Sequence, residues 1–415
     1  MHRPPGRRAV IVSRQCPQLG AEWSRNHDVA GELKTFEHVT VIIDYDCSKN
    51  QIPSDWSPMI ATLQPRSDTA PHSPRTVLRT VLRTVEDLSP ARCVVVGAGS
   101  AGRRHLRNLA ALGIDSIALR SLKGGPSDSA GFRSVHSWDE ASDFEPSIAI
   151  IANPTALHVD AALEATRLGC HVLIEKPVAD CIESTMQLQA AITRRNTTAL
   201  VGYQFRFHPT LRAVRDWLQQ GVIGEPVSAH AHWGEYLPGS QPGDDQRADP
   251  NGRCDLGGGL VLALSHPLDY MRWLLGEVTS VSAMTARRPR LAIGVEDVAI
   301  MALRMKSGAL ASISLDYVEQ PARHTLDIVG TAGTISWDAA TGTAHARCNA
   351  GATNLWVRPE RNFNQNTLLV SELQHFLACV WGTEQPNCTL ADGVWSVTIA
   401  EAVLRSAREG RVVRV

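Results

Sequence analysis

Residues 93–105 read CVVVGAGSAGRRH: a run of β-branched residues breaks into Gly97, Gly99 and Gly102 and then into a basic, helix-forming stretch. A buried strand that ends in G-x-G-x-x-G and feeds a helix narrows the choice of fold sharply. The tight turn belongs to a parallel α/β unit, and the free N–H groups of the helix's first turn face whatever lies above it, a position suited to a diphosphate. The same residues also make an ordinary strand-to-helix turn, and with 31 glycines such turns are common. The rhythm of the flanking chain distinguishes the two.

From residue 92 that rhythm is regular. Strands are expected at 92–96, 115–120, near 134, at 147–153, 171–175 and 198–204, with helices at 101–112, 155–168 and 180–195 between them. Short buried strands alternating with helices predict a doubly wound parallel sheet. After residue 225 the pattern changes: strands near 226–234, 278–287, 296–305, 309–318 and 322–329 follow one another with a single helix at about 260–275. Strands joined without crossovers predict an open, mostly antiparallel sheet. Two helices, at 366–381 and 389–408, close the chain. The expected fold class is therefore α/β, an N-terminal Rossmann sheet followed by an α+β domain. The expected domains are an extension at 1–89, a parallel α/β domain at 90–205 and a second domain, with the mostly antiparallel sheet, at 206–415.

The extension holds possible strands at 9–13 and 38–45, then a 28-residue stretch, 48–75, in which ten residues are Pro or Ser. That stretch reads as a linker, because it buries too little apolar area to offset its chain entropy. A tandem Arg-Thr-Val-Leu repeat from residue 76 reads as a short amphipathic helix. No chemistry attaches to any of these residues.

A net charge of −1 with 20% charged residues points away from nucleic acid or a membrane surface as the main partner. Apolar runs fall far short of the roughly 20 residues that span a bilayer, and the Arg-rich N-terminus has no apolar core of a secretory signal. Nine cysteines without a C-x-x-C pair fit reduced thiols, no metal site and a cytoplasmic protein.

Chemistry gathers first at Glu175-Lys176-Pro177, at the carboxyl end of a buried strand, where open α/β sheets bind ligands. Lysine occurs only five times in the chain, so this one is no draw from a lysine-rich background. Lys176 is either a solvated loop residue or a buried ammonium whose lowered pKa lets it pass a proton to a substrate oxygen. Pro177 fixes the backbone beside it, with a cis bond compatible with the sequence.

Four blocks in order, GAGSAGRRH, ANPTALHVDAALEATRLGCHVLIEKPVAD, GYQFRFHP and DLGGGLVLALSHPLDYMRWLLGEV, resemble the glucose-fructose oxidoreductase, inositol dehydrogenase and MocA (Gfo/Idh/MocA) family from about residue 90 to the end. The resemblance implies a nicotinamide dinucleotide over Gly97, Gly99, Ser100, Ala101 and Gly102, flanked by Asn153, Pro154, Thr155 and His158. It implies Glu175 and Lys176 at the nicotinamide, Lys176 and His266 as the catalytic pair, and Arg206 and His208 beside the substrate cleft. Asp269, three residues after His266 on one helix face, is expected to orient the imidazole, although a merely packed histidine fits the local pattern equally. Arg247 and Arg253 either clamp an anionic group or belong to a solvated loop.

Two positions depart from the family pattern. Arg120 stands where an acid would bind the ribose 2′-hydroxyl, which favours NADP over NAD. Ala263 stands where an aspartate is usual, so the proton chemistry either runs through Lys176 and His266 alone or has been lost. The implied activity is an NAD(P)-dependent oxidoreductase acting on a sugar, amino sugar, cyclitol or nucleotide sugar. A dinucleotide-binding sensor, or a lyase or hydrolase using bound NAD transiently, are the alternatives. An exposed face of the second sheet predicts a homo-oligomer, a dimer or tetramer.

Overall fold

The computed structural model describes residues 10–13, 39–42, 60–62, 91–119, 132–237, 249–288, 291, 293–348 and 354–415. By internal contacts the chain divides into two units, Met1–Ser89 and Pro90–Val415. In the first, β1 (Val10–Ser13), β2 (Val39–Ile42) and β3 (Ile60–Thr62) form an antiparallel sheet in that order. β3 corrects the reading of 48–75 as a linker: composition averaged over the stretch hides three residues whose backbone pairs with β2. The helix expected from residue 76 lies outside the described residues.

The second unit begins with β4 (Arg92–Val96), α1 (Ser100–Ala111), β5 (Asp115–Leu119), β6 (Ser134–Val135), α2 (Trp138–Ser142), β7 (Ile148–Ile151), α3 (His158–Arg167), β8 (His171–Glu175), α4 (Ile182–Arg195) and β9 (Ala199–Gly202). These strands make one parallel sheet in the order β6-β5-β4-β7-β8-β9. Strands covered by helices on both faces must be apolar throughout, and β7, IAII, is buried at all four residues. The winding reverses between β4 and β7, so their carboxyl ends flank the crevice in which such sheets take ligands.

The chain continues through α5 (Pro209–Gln219), β10 (Pro226–Tyr236), α6 (Leu260–Ala263), α7 (His266–Leu275), β11 (Val278–Ala286), β12 (Val298–Met305), β13 (Leu310–Asp316), β14 (Val318–Gly330), β15 (Gly333–Asp338), β16 (Thr343–Cys348), β17 (Leu355–Val357), α8 (Gln365–Val380), α9 (Leu390–Glu409) and β18 (Val413–Arg414). The second sheet runs β17-β16-β15-β14-β10-β13-β12-β11-β18, antiparallel except where β10 meets β13. It has nine strands where the sequence suggests five. β15 and β16 each bury only two side chains, Ile335 with Trp337 and Ala344 with Ala346, too few for a clear alternating signal.

The helix expected at 260–275 is two helices, α6 and α7. Pro267 causes the break, because its ring would collide with the carbonyl of residue 263 in a continuous helix, and it has no N–H to give that carbonyl. α8 and α9 start on capping boxes at Asn364 and Thr389. α8 buries Leu373, Phe376 and Leu377 with the parallel sheet, while α9 contributes Val397 to that domain's core and Ile399 and Val403 to the other.

Candidate active site

The loop after β4 has the shape a diphosphate requires. Gly97 has φ +100°, and a Cβ there would stand 2.6 Å from the Ala152 carbonyl oxygen. A Cβ at Gly102 would stand 1.9 Å from the Gly97 carbonyl oxygen, so only glycine lets α1 approach the turn. Gly99 has open space around it and serves as N-cap of α1 without a side-chain cap, and the first turn of α1 holds no acid. Ser100 and Ala101 therefore present main-chain N–H groups at a positive helix end with nothing competing for them. Across the crevice, Asn153 donates to the Leu157 carbonyl at 3.1 Å, while its buried Oδ1 has no partner. Pro154 and Thr155 open the short 3-10 turn Thr155–Leu157 that leads into α3. These features fit a dinucleotide. Arg120 lies outside the described residues.

His158 braces the loops on this side of the crevice. It is buried, and its two ring nitrogens meet the carbonyls of Pro177, at 2.9 Å, and Asn153, at 2.8 Å, joining the loops after β7 and β8. Burial lowers its pKa despite those two carbonyls.

At the end of β8, Glu175 meets His105 of α1 at 2.7 Å. Burial works against the Glu175 carboxylate, but His105 and Lys176 outweigh it and hold its pKa below the ordinary value. The Lys176–Pro177 bond is cis. Lys176 turns the other way and donates from Nζ to the Ala263 carbonyl at 2.5 Å. That acceptor exists because of Pro267: the N–H that would bond it in a continuous helix is missing. Burial lowers the pKa of Lys176, with Glu175 and Glu235 opposing the shift.

His266, at the start of α7, is 2% exposed and walled by Tyr203, Phe205 and Trp233, with ring centroids 5.4, 4.8 and 5.5 Å away. Burial, with the Lys176 charge and His324 adding to it, puts its pKa well below the ordinary value, so the imidazole is neutral. Its Nδ1 has no partner.

Asp269 does not orient that ring. Both its oxygens accept from Arg206, Oδ2 from Nε at 2.9 Å and Oδ1 from Nη2 at 2.6 Å. Arg206 Nη1 also donates to the Asn387 carbonyl, and the side chain is 3% exposed. Arg206 and Asp269 thus form a buried strut, in which the carboxylate faces the guanidinium rather than the His266 ring. His208 is likewise buried: its Nδ1 meets the Thr210 hydroxyl at 2.9 Å and caps α5, and burial lowers its pKa to about 4. Arg253 pairs with Asp255 in an exposed loop and reaches no cleft group among the described residues. Arg247 lies outside the described residues.

Residues the sequence reading missed come from the inner face of the second sheet. Trp233 of β10 stacks on His324 of β14 at 4.3 Å and 10°. Glu235 lies two residues on, where the pairing of β10 with β14 shifts register between Gly234 and Tyr236. Glu235 is half-buried, accepts a hydrogen bond from Trp233 and lies in the field of Lys176; burial raises its pKa against those two influences. Tyr317, just past β13, has a buried hydroxyl without a partner. The period-2 pattern of HAHWGEY was the one signal, and it does not say which face meets the cleft.

A glycine loop at a topological switch point, with a buried lysine and a neutral histidine close by, defines a dinucleotide-dependent oxidoreductase. The profile described as "Oxidoreductase family, NAD-binding Rossmann fold" matches residues 91–203, and that of the "GFO/IDH/MocA C-terminal domain" matches residues 211–336. The chain belongs to the Gfo/Idh/MocA family. It is 27% identical to 1,5-anhydro-D-fructose reductase of Ensifer adhaerens over 68% of this chain and 84% of that protein. It is 26% identical to scyllo-inositol 2-dehydrogenase (NAD(+)) of Bacillus subtilis over 78% and 96%. A levoglucosan dehydrogenase solved in complex with NADH shares the fold with a TM-score of 0.70 at 19% identity, over 78% of this chain and 99% of that one.

Proposed function

We propose that the protein transfers hydride between a nicotinamide dinucleotide and a hydroxyl-bearing carbon of a polyhydroxylated ring, a sugar, amino sugar, cyclitol or nucleotide sugar. The observation that carries this reading is Lys176 Nζ on the Ala263 carbonyl, with its charge acting on the buried, neutral His266. The dinucleotide supplies the hydride acceptor or donor. Lys176 places an ammonium where a substrate oxygen gains or loses charge, and neutral His266 is able to take the hydroxyl proton. Trp233, Phe205 and His324 offer an apolar wall for the C–H face of a ring. Relatives named for anhydrofructose, inositol and D-apiose support the substrate class. The test is a panel of such substrates scanned for change in nicotinamide absorbance; silence across the panel, with the dinucleotide bound, overturns the proposal.

The carboxylate that Ala263 lacks is supplied from β10. Glu235 opposes the loss of the Lys176 proton and so acts as a positioning residue. The ammonium is present below the Lys176 pKa and lost as pH rises through it. Removing the neighbouring negative charge lowers that pKa, so Glu235→Gln is expected to move the basic limb of the pH–rate profile to lower pH. A limb left in place by Glu235→Gln in a folded variant would show that Glu235 only fills space.

For the cofactor we infer NADP, on the strength of Arg120 after β5. A phosphate gripped by arginine adds about 1.5–3 kcal/mol, so calorimetry is expected to find NADP(H) bound about tenfold or more tighter than NAD(H), with Arg120→Ala removing most of the difference. Equal affinities in the unaltered protein would overturn the preference. We further infer that the outer face of the second sheet meets a second copy: Met284 and Ile300, paired across β11 and β12, are 79% and 60% exposed. A monomeric mass by light scattering would contradict it. No helix among the described residues is long and apolar enough to cross a membrane, and the seven described cysteines are free, which supports a reducing cytoplasm.

A further inference from the structure

The outer face of the second sheet carries a cluster that the oxidoreductase chemistry does not use. His232 of β10 and Asp316 of β13 point outward, away from the face that holds Trp233, and Glu319 near the start of β14 closes over them. One ligand atom from each lies within 4.8 Å of the others. The His232 side chain is 16% exposed and that of Glu319 25%.

The cluster is arranged around a gap in the strand. Gly234 pairs in register with Asp316, and a Cβ at Gly234 would stand 1.9 Å from Glu319 Oε2 and 2.8 Å from Asp316 Oδ2. Two carboxylate oxygens thus converge over one glycine. Asp316 Oδ1 is occupied by the Val318 N–H at 3.0 Å, which leaves Oδ2 as its inward donor. His232 Nδ1 meets the Ser314 hydroxyl at 2.7 Å, and Nε2 faces Glu319 Oε2 at 2.5 Å. A hydrogen bond on one ring nitrogen, which leaves the other nitrogen to the ion, is how protein metal sites orient a histidine ligand. Arg323, in register with Gly234 on β14, forms no ion pair with these acids among the described residues.

We propose that His232 Nε2, Asp316 Oδ2 and Glu319 Oε2 bind one divalent transition-metal ion of the zinc class. One imidazole and two carboxylates suit zinc, cobalt or manganese better than calcium or magnesium, which prefer oxygen alone. Ligand bonds of about 2.0–2.2 Å require His232 and Glu319 to part by less than about 1 Å. Three protein ligands leave a fourth position open on the outer side. The ion would tie β10, β13 and β14 together and offset the repulsion of two acids; it takes no part in hydride transfer. An adjacent pair, His230 with Ser312 at 2.8 Å, repeats the histidine–serine arrangement without carboxylates and serves as an internal control.

The test uses the full chain stripped with a chelator and titrated with Zn²⁺ by calorimetry and with Co²⁺ by visible absorption. One ion per chain is expected, with a d–d spectrum of cobalt bound through nitrogen. His232→Ala and Glu319→Gln are expected to weaken binding by at least about 100-fold and Ser314→Ala by about 10–100-fold, the usual effect of losing the hydrogen bond that orients a ligand. His230→Ala should change nothing. Absence of saturable binding, or equal affinity in folded His232→Ala and Glu319→Gln, overturns the site. Chain mass recorded in the same samples separates this result from the pairing of copies, since an ion bound to a monomer would retain the site and discard the pairing.

Discussion

Lys176→Met is expected to leave dinucleotide affinity nearly unchanged and to lower turnover about 10²- to 10⁴-fold, the usual worth of a positioned acid or base. Methionine keeps the unbranched length of lysine and removes only the ammonium that meets the Ala263 carbonyl. The glycine loop and the uncapped start of α1 are untouched, so the diphosphate grip should survive. Binding by calorimetry and single-turnover absorbance separate the two quantities. An equal loss of affinity and rate would place Lys176 in uniform binding instead, and an unchanged rate would remove it from the chemistry.

The second large effect is on stability. Arg206 and Asp269 are both buried and meet through two bonds, and the Asn387 carbonyl and Asp392, the latter at 3.5 Å, add further contacts to the guanidinium. Burial works against the Arg206 charge, and Asp269 outweighs it, so the guanidinium stays charged. Arg206→Met strands a buried carboxylate and is expected to cost about 3–5 kcal/mol in urea unfolding. Arg206→Met with Asp269→Leu removes both charges and should recover most of that loss, because a buried ion pair is often replaceable by apolar side chains. A cost below about 1 kcal/mol for the single variant would show that the strut does not hold the fold.

The same pair shows why part of the site was not legible in the sequence. The i,i+3 spacing of His266 and Asp269 does place them on one helix face, yet the partner of Asp269 comes from 63 residues away in the chain. Local periodicity cannot rank a near neighbour against such a distant one. The glycine loop was legible because each of its constraints is local: a positive φ at Gly97, a collision at Gly102 and an uncapped helix start. Lys176 was legible because its position at a strand end is a one-dimensional fact. Trp233, Glu235 and His324 were not, since they meet only through the pairing of β10 with β14.

Ala263 looked, from sequence, like a missing part. The structure shows that what Lys176 uses at that position is main chain. Every residue type carries a carbonyl, so the lysine's anchor is indifferent to the side chain at 263 and is decided four residues later, where Pro267 withholds the N–H that would otherwise occupy it. The information for this contact is therefore written at one position and read at another. A chain with alanine, aspartate or serine at 263 keeps the anchor as long as the proline stays, while a chain that regains an ordinary residue at 267 gives the carbonyl a second suitor and leaves the ammonium to compete for it.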